Sequence, residues 1–253
     1  MLVELPAAGR ERARQLFDGF PGLHGLVDIA LEGAMGTLHA DGAARPAVAL
    51  IELDFYLLAG NAGASASEEA VLRIKPPAGI VTSSPQWEPL LRRVWGEALR
   101  TRTRVAFRPP VEWDRQRLRR FREALPTGFT LKRVSAADAA RFSELADSLV
   151  YNFPSLEAFV SRGVGFGVEH DGRYVSGCSS FAIGSRSLEF EIQTHPDFRL
   201  RGLAGACAAA MIEYCLEREL EPCWDAHNEI SAALATKLGF VDQAPYNAYE
   251  IPG

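Results

Sequence analysis

Apolar and polar positions follow helix-like or strand-like periods along most of the chain, with a change near Gly128. In the first half, the run Pro46–Leu58 predicts a strand, and Gly60–Ser67, rich in small residues, predicts a loop. Trp87–Arg100 has one apolar face at helical spacing. An Arg-rich helix is predicted within residues 108–122. The first half therefore predicts a small α/β domain.

After Gly128 the pattern is more regular and predicts the order β-α-α-β-β-β-α-β-α-β. The predicted strands are Phe129–Val134, Gly165–Glu169, Tyr174–Ala182, Ser187–Thr194, Pro222–Asp225 and Tyr246–Ile251. The predicted helices are Ser135–Val150, Ser155–Val160, Gly202–Glu219 and Ser231–Leu238. His170-Asp171-Gly172-Arg173 is a strong hairpin signal. No repeat is visible in the sequence itself.

Length and composition limit the class of protein. The chain has 253 residues and a net charge of −5, which allows one large or two small domains and argues against general nucleic-acid binding. No apolar run is long enough to span a bilayer, so no membrane association is expected. None of the four cysteines forms a CxxC pair, and no zinc spacing is present, which favours reduced thiols, no metal and a cytoplasmic location.

Charge is distributed unevenly along the chain. Residues 83–122 hold 11 Arg against four acids, whereas residues 206–253 hold eight acids against two bases. The basic stretch fits either a patch for nucleic acid or phosphate, or a solvated helix that joins two domains. The acidic stretch would favour a cationic substrate through its field.

The segment from Glu189 to Gly205 carries the clearest chemical signal. A strand ends at Thr194, a turn follows, and Arg199-x-x-Gly202-x-Ala204-Gly205 enters a helix. Such a corner directs unpaired backbone N–H groups into one concavity, where the helix dipole also favours an anion. The two arginines, Arg199 and Arg201, can add charge-assisted bonds. A phosphate-binding loop is one interpretation, and a plain strand–turn–helix corner with two solvated arginines is the other.

Other phosphate-binding motifs do not fit. No Gly-Lys-Ser/Thr follows, so the loop is not a Walker loop. The glycines of Gly163-x-Gly165-x-Gly167 precede a hairpin rather than a helix, and are interpreted as a strand edge or bulge.

These residues resemble the GNAT N-acetyltransferase superfamily. Arg199-x-x-Gly202-x-Ala204 after a strand is similar to its acetyl-CoA loop, and Asn228-x-x-Ser231 followed by Lys237-Leu-Gly-Phe240 is similar to its second motif. Tyr214-Cys-Leu, Pro222-Cys-Trp-Asp225 and Tyr246-x-x-Tyr249 resemble the branch that includes zwittermicin A resistance acetyltransferases. The superfamily resemblance covers roughly Phe129–Ile251.

The resemblance implies an α+β fold with a mixed, largely antiparallel sheet flanked by helices. It also implies that acetyl-CoA is a co-substrate, held along a strand and over the helix N-terminus. The cofactor-binding residues it implies are Ile192, Gln193, Thr194, Arg199, Arg201, Gly202, Leu203, Ala204, Gly205, Asn228 and Ser231. Asn228 fits a helix N-cap equally well, with Ser231 at the third position.

The implied reaction is direct attack of an amine on the thioester, which requires a group that accepts the amine proton. Glu191 is the first candidate for this base and Glu189 the second, because both lie on one face of the same strand. The alternative for both glutamates is that their side chains face solvent or pair with an arginine. Many superfamily members carry a tyrosine acid in the last helix, where this chain has Ala235. Tyr246 or Tyr249 on the closing strand could supply that proton, with Tyr249 as the candidate retained, or the thiolate could leave without a dedicated acid.

The sequence thus predicts two domains, an N-terminal α/β domain at residues 1–127 with an Arg-rich connector at 108–127, and a GNAT domain at residues 128–253. The first half could be a degenerate copy of the same fold. The main hypothesis is transfer of acetyl from acetyl-CoA to a small, cationic amine by a monomer or homodimer. A non-catalytic acyl-CoA-binding or sensing protein is the second, and a nucleic-acid-associated protein the third.

Overall fold

The computed structural model describes residues 1–253, which form two compact units. Unit 1 contains residues 1–107, 225–229 and 242–253, and unit 2 contains residues 108–224 and 230–241. This division differs from the predicted boundary at 127/128 in two respects. Residues 108–127 lie in unit 2, and most of the C-terminal strand lies in unit 1.

Unit 1 is built on one sheet of eight strands. Its strands are β1 (Val3–Glu4), β2 (Thr37–Ala40), β3 (Val48–Glu52), β4 (Phe55–Gly60), β5 (Ala78–Thr82) and β6 (Arg100–Arg108), joined late in the chain by β12 (Asp225–Ala226) and β13 (Val241–Ile251). Its helices are α1 (Ala7–Arg10), α2 (His24–Leu31), α3 (Ser67–Leu72) and α4 (Glu88–Trp95). The strand order is β1-β2-β3-β4-β5-β13-β6-β12, so the last strand of the chain lies between β5 and β6.

Unit 2 is built on a second sheet, of order β11-β10-β9-β8-β7. Its strands are β7 (Thr130–Arg133), β8 (Gly165–His170), β9 (Arg173–Ile183), β10 (Ser187–Thr194) and β11 (Glu221–Cys223). Its helices are α5 (Arg115–Glu123), α6 (Ala139–Ser143), α7 (Leu156–Arg162) and α8 (Leu203–Glu217), and α9 (Glu229–Leu238) lies in it from Ile230 onward. The buried face of α8 packs on this sheet through Leu203, Cys207 and Met211.

The two units share one topology that the sequence does not reveal. In each, the first four strands pair antiparallel in chain order, and the fifth pairs parallel with the fourth. In each, two helices follow the first strand, and one helix connects the fourth strand to the fifth. Both units are therefore mixed sheets flanked by helices, which agrees with the predicted fold.

A buried polar cluster anchors the late segments of the chain in unit 1. The Arg104 guanidinium lies 2.5 Å from the Asp225 carboxylate, whose side chain is 2% exposed. The Tyr246 hydroxyl donates to the other carboxylate oxygen at 2.7 Å. Burial raises the pKa of Tyr246 well above its ordinary value, and Asp225 adds to that shift. Asp225 and Tyr246 come from β12 and β13, so the cluster ties both strands to β6.

The glycines of Gly163-x-Gly165-x-Gly167 were predicted to mark a strand edge or a bulge, and the β8–β9 pairing has an irregularity directly after them, between Val168 and Glu169. β8 pairs with β7 and β9, so Gly165 and Gly167 do not lie on an edge. A Cβ at Gly167 would lie 3.2 Å from the Phe142 ring, and one at Gly165 would lie 3.2 Å from the same ring. Glycine is needed here because aromatic side chains pack directly on the strand backbone.

Candidate active site

β10 separates from β11 partway along its length. The two strands pair in parallel only from Ser187 to Glu189, and β11 ends at Cys223. From Phe190 to Thr194, β10 pairs only with β9 on its other side. The predicted residues Ile192, Gln193 and Thr194 lie on this open part of the strand. Their backbone forms an edge on which an extended ligand could make β-like hydrogen bonds.

The loop after β10 leaves six consecutive amides without an acceptor. A short turn takes up the first ones, because the Phe198 and Arg199 N–H groups donate to the His195 and Pro196 carbonyls. Leu200 and Gly202 then have positive φ angles of 62° and 81°. No protein group accepts a hydrogen bond from the N–H groups of residues 200–205, and Ala206 is the first to return to the helix ladder. The anion site predicted here therefore starts at residue 200 rather than at Arg199.

Two arginines of the loop carry charges that no carboxylate neutralises. Arg199 Nε reaches the Thr194 carbonyl at 3.4 Å, and Arg201 reaches the Asp197 carbonyl at 3.3 Å. The Arg201 guanidinium also lies over the Phe198 ring, 5.3 Å from its centroid. Both contacts hold the side chains beside the free amides without cancelling their charge. Together with the N-terminus of α8, they make this corner attractive to a diphosphate.

Helix α5 gives the Arg-rich stretch a structural role. A Cβ at Gly205 would lie 2.7 Å from the Phe121 ring, so α5 packs closely against the first turn of α8. Asp114 caps α5 by accepting a hydrogen bond from the Arg117 N–H at 2.9 Å. Phe121 lies within the Arg-rich helix predicted at residues 108–122. Its contact with the loop was visible only in the fold, since the two residues lie far apart in the chain.

The candidate bases lie on one face of β10. Phe190 and Ile192 pack into the α8 core, so Glu189, Glu191 and Gln193 face the other side of the sheet. Glu191 accepts a hydrogen bond from Gln193 Nε2 at 2.7 Å. The side chain of Glu189 is more deeply placed, with the residue 4% exposed.

Sequence reasoning missed Ser179. It pairs with Glu191 across β9 and β10, and its hydroxyl is buried without a hydrogen-bond partner. A buried hydroxyl without a partner is costly, so a bound molecule or water that reaches it would be stabilised. No sequence signal marks this serine, because it acquires its neighbour only through strand pairing.

Three further positions singled out from the sequence, Asn228, Ser231 and Ala235, lie outside the loop after β10. Asn228 immediately precedes α9, and its amide lies 2.8 Å from His227 Nε2. Ser231 accepts a hydrogen bond from the Trp224 indole at 3.1 Å. Ala235 is fully buried in α9, so no side-chain acid stands at that position.

Unlike the loop after β10, which belongs to unit 2, Tyr249 belongs to unit 1. It lies in the core of unit 1, where its hydroxyl donates to Glu88 at 3.2 Å. Burial and Glu88 raise the pKa of Tyr249 to about 12. The four cysteines are free and buried, and burial raises the pKa of Cys207 and Cys215 to about 12. Their free state agrees with the reduced thiols expected from the sequence.

The replacement Gly202→Ala tests the loop. Alanine at a φ of 81° strains the backbone and shifts the amides, so we expect affinity for acetyl-CoA to fall about tenfold. Gly19→Ala is the matched control, because Gly19 has a φ of 70°, equally open surroundings and a position in unit 1. Calorimetric titration of both variants with acetyl-CoA measures the difference. Equal losses in the two variants would contradict a role for the loop.

A strand that parts from its parallel neighbour, followed by a helix with free N-terminal amides, suits an extended ligand that carries a diphosphate. The family model for GNAT acetyltransferases matches residues 14–249. The chain belongs to the GNAT acetyltransferase family and is an acyltransferase of that type. This family uses acetyl-CoA as its co-substrate. No helix of the structure is both long and apolar enough to cross a membrane.

Individual relatives agree with this assignment. The chain is 31% identical over 241 residues to the uncharacterized N-acetyltransferase YdfB of Bacillus subtilis, covering 90% of this chain and 88% of that protein. A GCN5-related N-acetyltransferase-like protein from Streptococcus suis superposes with a TM-score of 0.87 at 33% identity, over 96% of this chain and 98% of the other. A tandem GNAT protein from the clavulanic acid biosynthesis pathway shares the fold, with a TM-score of 0.56 at 16% identity, over 99% of this chain and 96% of the other.

Proposed function

We propose that the protein transfers an acetyl group from acetyl-CoA to the amine of a small, cationic molecule. The observation that carries this proposal is the run of six unpartnered amides at residues 200–205, next to an open strand edge. Bound acetyl-CoA would supply the thioester that the amine attacks. The pyrophosphate would be held by these amides with Arg199 and Arg201. The backbone of Ile192–Thr194 would hold the pantetheine arm.

Glu191 is the proposed base. Its carboxylate is positioned by Gln193 and lies on the strand that carries the thioester site, where it can accept the amine proton directly or through one water. Glu189 is the second candidate. The departing thiolate needs no dedicated acid, since the pKa of a thiol is about 8.5. Tyr249 is omitted from the chemistry because its hydroxyl is donated to Glu88.

The preference for a cationic acceptor rests on Glu189 and Glu191 rather than on the acidic C-terminal stretch. Several acids of that stretch are neutralised within the protein. Asp225 pairs with Arg104, Glu213 with Arg122 and Glu250 with Arg102. Their field outside the protein is correspondingly weak. The resemblance to the zwittermicin A resistance branch remains a proposal.

Unit 1 is proposed to be a GNAT-like copy that does not bind acetyl-CoA. Its β4 and β5 stay paired to Leu58 and Thr82, and the Ser83 N–H continues the pairing to the Leu58 carbonyl at 2.8 Å. The Trp87 indole donates to the Gly60 carbonyl at 3.3 Å at the end of β4. The opening that separates β10 from β11 in unit 2 therefore has no counterpart here.

The alternative is an acyl-CoA-binding protein without catalytic activity. Ala235, which stands where many superfamily members carry a tyrosine acid, favours it. Both functions predict saturable binding of acetyl-CoA, and only the first predicts turnover.

A free-thiol release assay with acetyl-CoA separates the candidates. We expect thiol release that depends on both acetyl-CoA and an amine, with amines that carry a second cationic group preferred over amines that carry a carboxylate in the same panel. Binding without release across the panel would support the non-catalytic alternative. Absence of saturable binding at millimolar acetyl-CoA would contradict both.

A further inference from the structure

β7 is the outer strand of the unit 2 sheet, and its free edge carries unpaired backbone groups. It pairs only with β8, in a register that places Lys132 opposite Gly167. The Val134 N–H donates to the Gly165 carbonyl at 2.8 Å, so Val134 and Lys132 belong to the hydrogen-bonded pairs of this antiparallel ladder. By alternation, the N–H and C=O groups of Leu131 and Arg133 point away from β8. They offer two donors and two acceptors to another strand.

A cavity of about 450 Å³ runs along this edge. Five consecutive residues, Phe129–Arg133, line it, so it follows the length of the strand. Arg133 lies opposite Phe166 and over the Tyr214 ring, which places both side chains on the α8 face of the sheet. Leu125, Phe166 and Ala210 add apolar surface. Helix α5 contributes Arg119, Arg122 and Glu123 to the same lining. The cavity therefore combines an open strand edge, apolar surface and cationic side chains.

The charge of the cavity is positive. It is lined by Arg119, Arg122, Lys132 and Arg133 against one acid, Glu123. Two of the cations are neutralised nearby, since Arg122 pairs with Glu213 and Lys132 with Glu169. Arg119 has no ion pair. Arg133 lies over the Tyr214 ring, 5.2 Å from its centroid, and pairs with no carboxylate.

A second copy of the chain does not suit this edge. In the antiparallel register that pairs Leu131 with Arg133 of another molecule, Lys132 would lie directly opposite Lys132, and like charges on directly opposed strand positions are destabilising. An acidic partner strand would instead be attracted to these cationic side chains.

We propose that the β7 edge binds an extended segment of a partner protein in which acidic side chains alternate with apolar ones. The segment would add a strand to the sheet through the backbone of Leu131 and Arg133. Its acidic side chains would point to the α8 face of the sheet, where they meet Arg119 and Arg133, and its apolar side chains would point to the other face. The site contains none of the loop residues 194–205, so it is independent of the proposed acetyl transfer.

The test uses the full chain and a fluorescein-labelled peptide of about seven residues in which Glu and Val alternate, long enough to cover β7. Fluorescence anisotropy is expected to show saturable binding. Arg119→Ala with Arg133→Ala should weaken that binding at least about tenfold. The matched control is Arg115→Ala with Arg162→Ala, which removes two exposed charges of unit 2 outside the cavity and should leave binding unchanged.

Four results would overturn the proposal. The first is that a peptide N-methylated at alternate amides binds as tightly as the unmethylated peptide. Such a peptide keeps the charge but loses the N–H groups that would pair with the β7 edge. The second is that a single-stranded thymidine oligonucleotide with the same charge as the peptide binds as tightly as the peptide or more tightly. The third is an equal loss in the control variant, and the fourth is no saturable binding at millimolar peptide. Unchanged thermal stability of all variants is checked first, since the four arginines are exposed.

Discussion

Replacing Arg104 with methionine is expected to lower the free energy of unfolding of the protein by about 3–5 kcal/mol. The Asp225 carboxylate is almost completely buried and accepts from both the guanidinium and the Tyr246 hydroxyl. Burial acts to raise the pKa of Asp225, and Arg104 opposes that effect. Without Arg104 the carboxylate must stay charged and unpaired, or take up a proton on folding. Each of these two outcomes lowers the free energy of unfolding by more than the loss of the ion pair alone.

Arg102→Met is the control on the same strand. Arg102 pairs with Glu250 at 2.9 Å, but both side chains are about half exposed, so this change should cost at most about 1 kcal/mol. Arg104→Met combined with Asp225→Leu should recover much of the loss, because no buried charge is then left unpaired. Urea unfolding of the three variants measures these differences. A cost for Arg104→Met no larger than that for Arg102→Met would show that the cluster does not anchor β12 and β13.

The same cluster explains why the predicted domain boundary and the structure differ. A pattern within Tyr246–Ile251 predicts a strand, and a strand does form there. Its neighbour is β5, where Tyr249 lies opposite Ile80, and no local pattern indicates such a distant partner. The sequence therefore indicates a closing strand without indicating which sheet it closes. Asp225 and Tyr246 resolve that choice, because their buried polar groups bind each other and Asp225 pairs with Arg104 of β6.

Elements defined by local chemistry were predictable. The hairpin between β8 and β9 turns at Asp171 and Gly172, whose φ angles of 49° and 78° match the residues most tolerant of that conformation. The strand predicted at Ser187–Thr194 has those bounds in the structure. The helix predicted at Ser135–Val150 is instead broken, with α6 ending at Ser143 and Ala146 extended at a φ of −169°. Asp147 and Ser148 follow, residue types that favour turns over helix interiors.

The residues of the candidate site also divide into those that the sequence predicts and those that it does not. The loop residues share one segment, so their pattern was sufficient to locate the free amides. Ser179 and Phe121 join the site through strand pairing and helix packing, and neither carries a mark of that role in the sequence. Tyr249 was placed near the chemistry on the assumption that the last strand belongs to unit 2.

Replacing Glu191 with glutamine is expected to lower kcat/KM for acetyl transfer by about 10²–10⁴-fold at neutral pH, with little change in affinity for acetyl-CoA. Glutamine keeps the size of the side chain and a hydrogen bond with Gln193, but it cannot accept a proton. The acceptor amine, with a pKa near 10, arrives as an ammonium ion and must lose that proton before it can attack.

The pH dependence distinguishes a base from a merely structural carboxylate. As pH rises toward the pKa of the amine, solvent supplies a growing fraction of neutral amine, so the deficit of Glu191→Gln should shrink between pH 7 and about pH 10. A variant that is defective only through altered shape would keep a constant deficit. Glu189→Gln is the comparison on the same face, and a larger, pH-dependent deficit in that variant would assign the base to Glu189 instead. If both variants kept full activity at pH 7, the proton would have to leave through a group on another element, and Ser179, opposite Glu191, would be the first residue to replace.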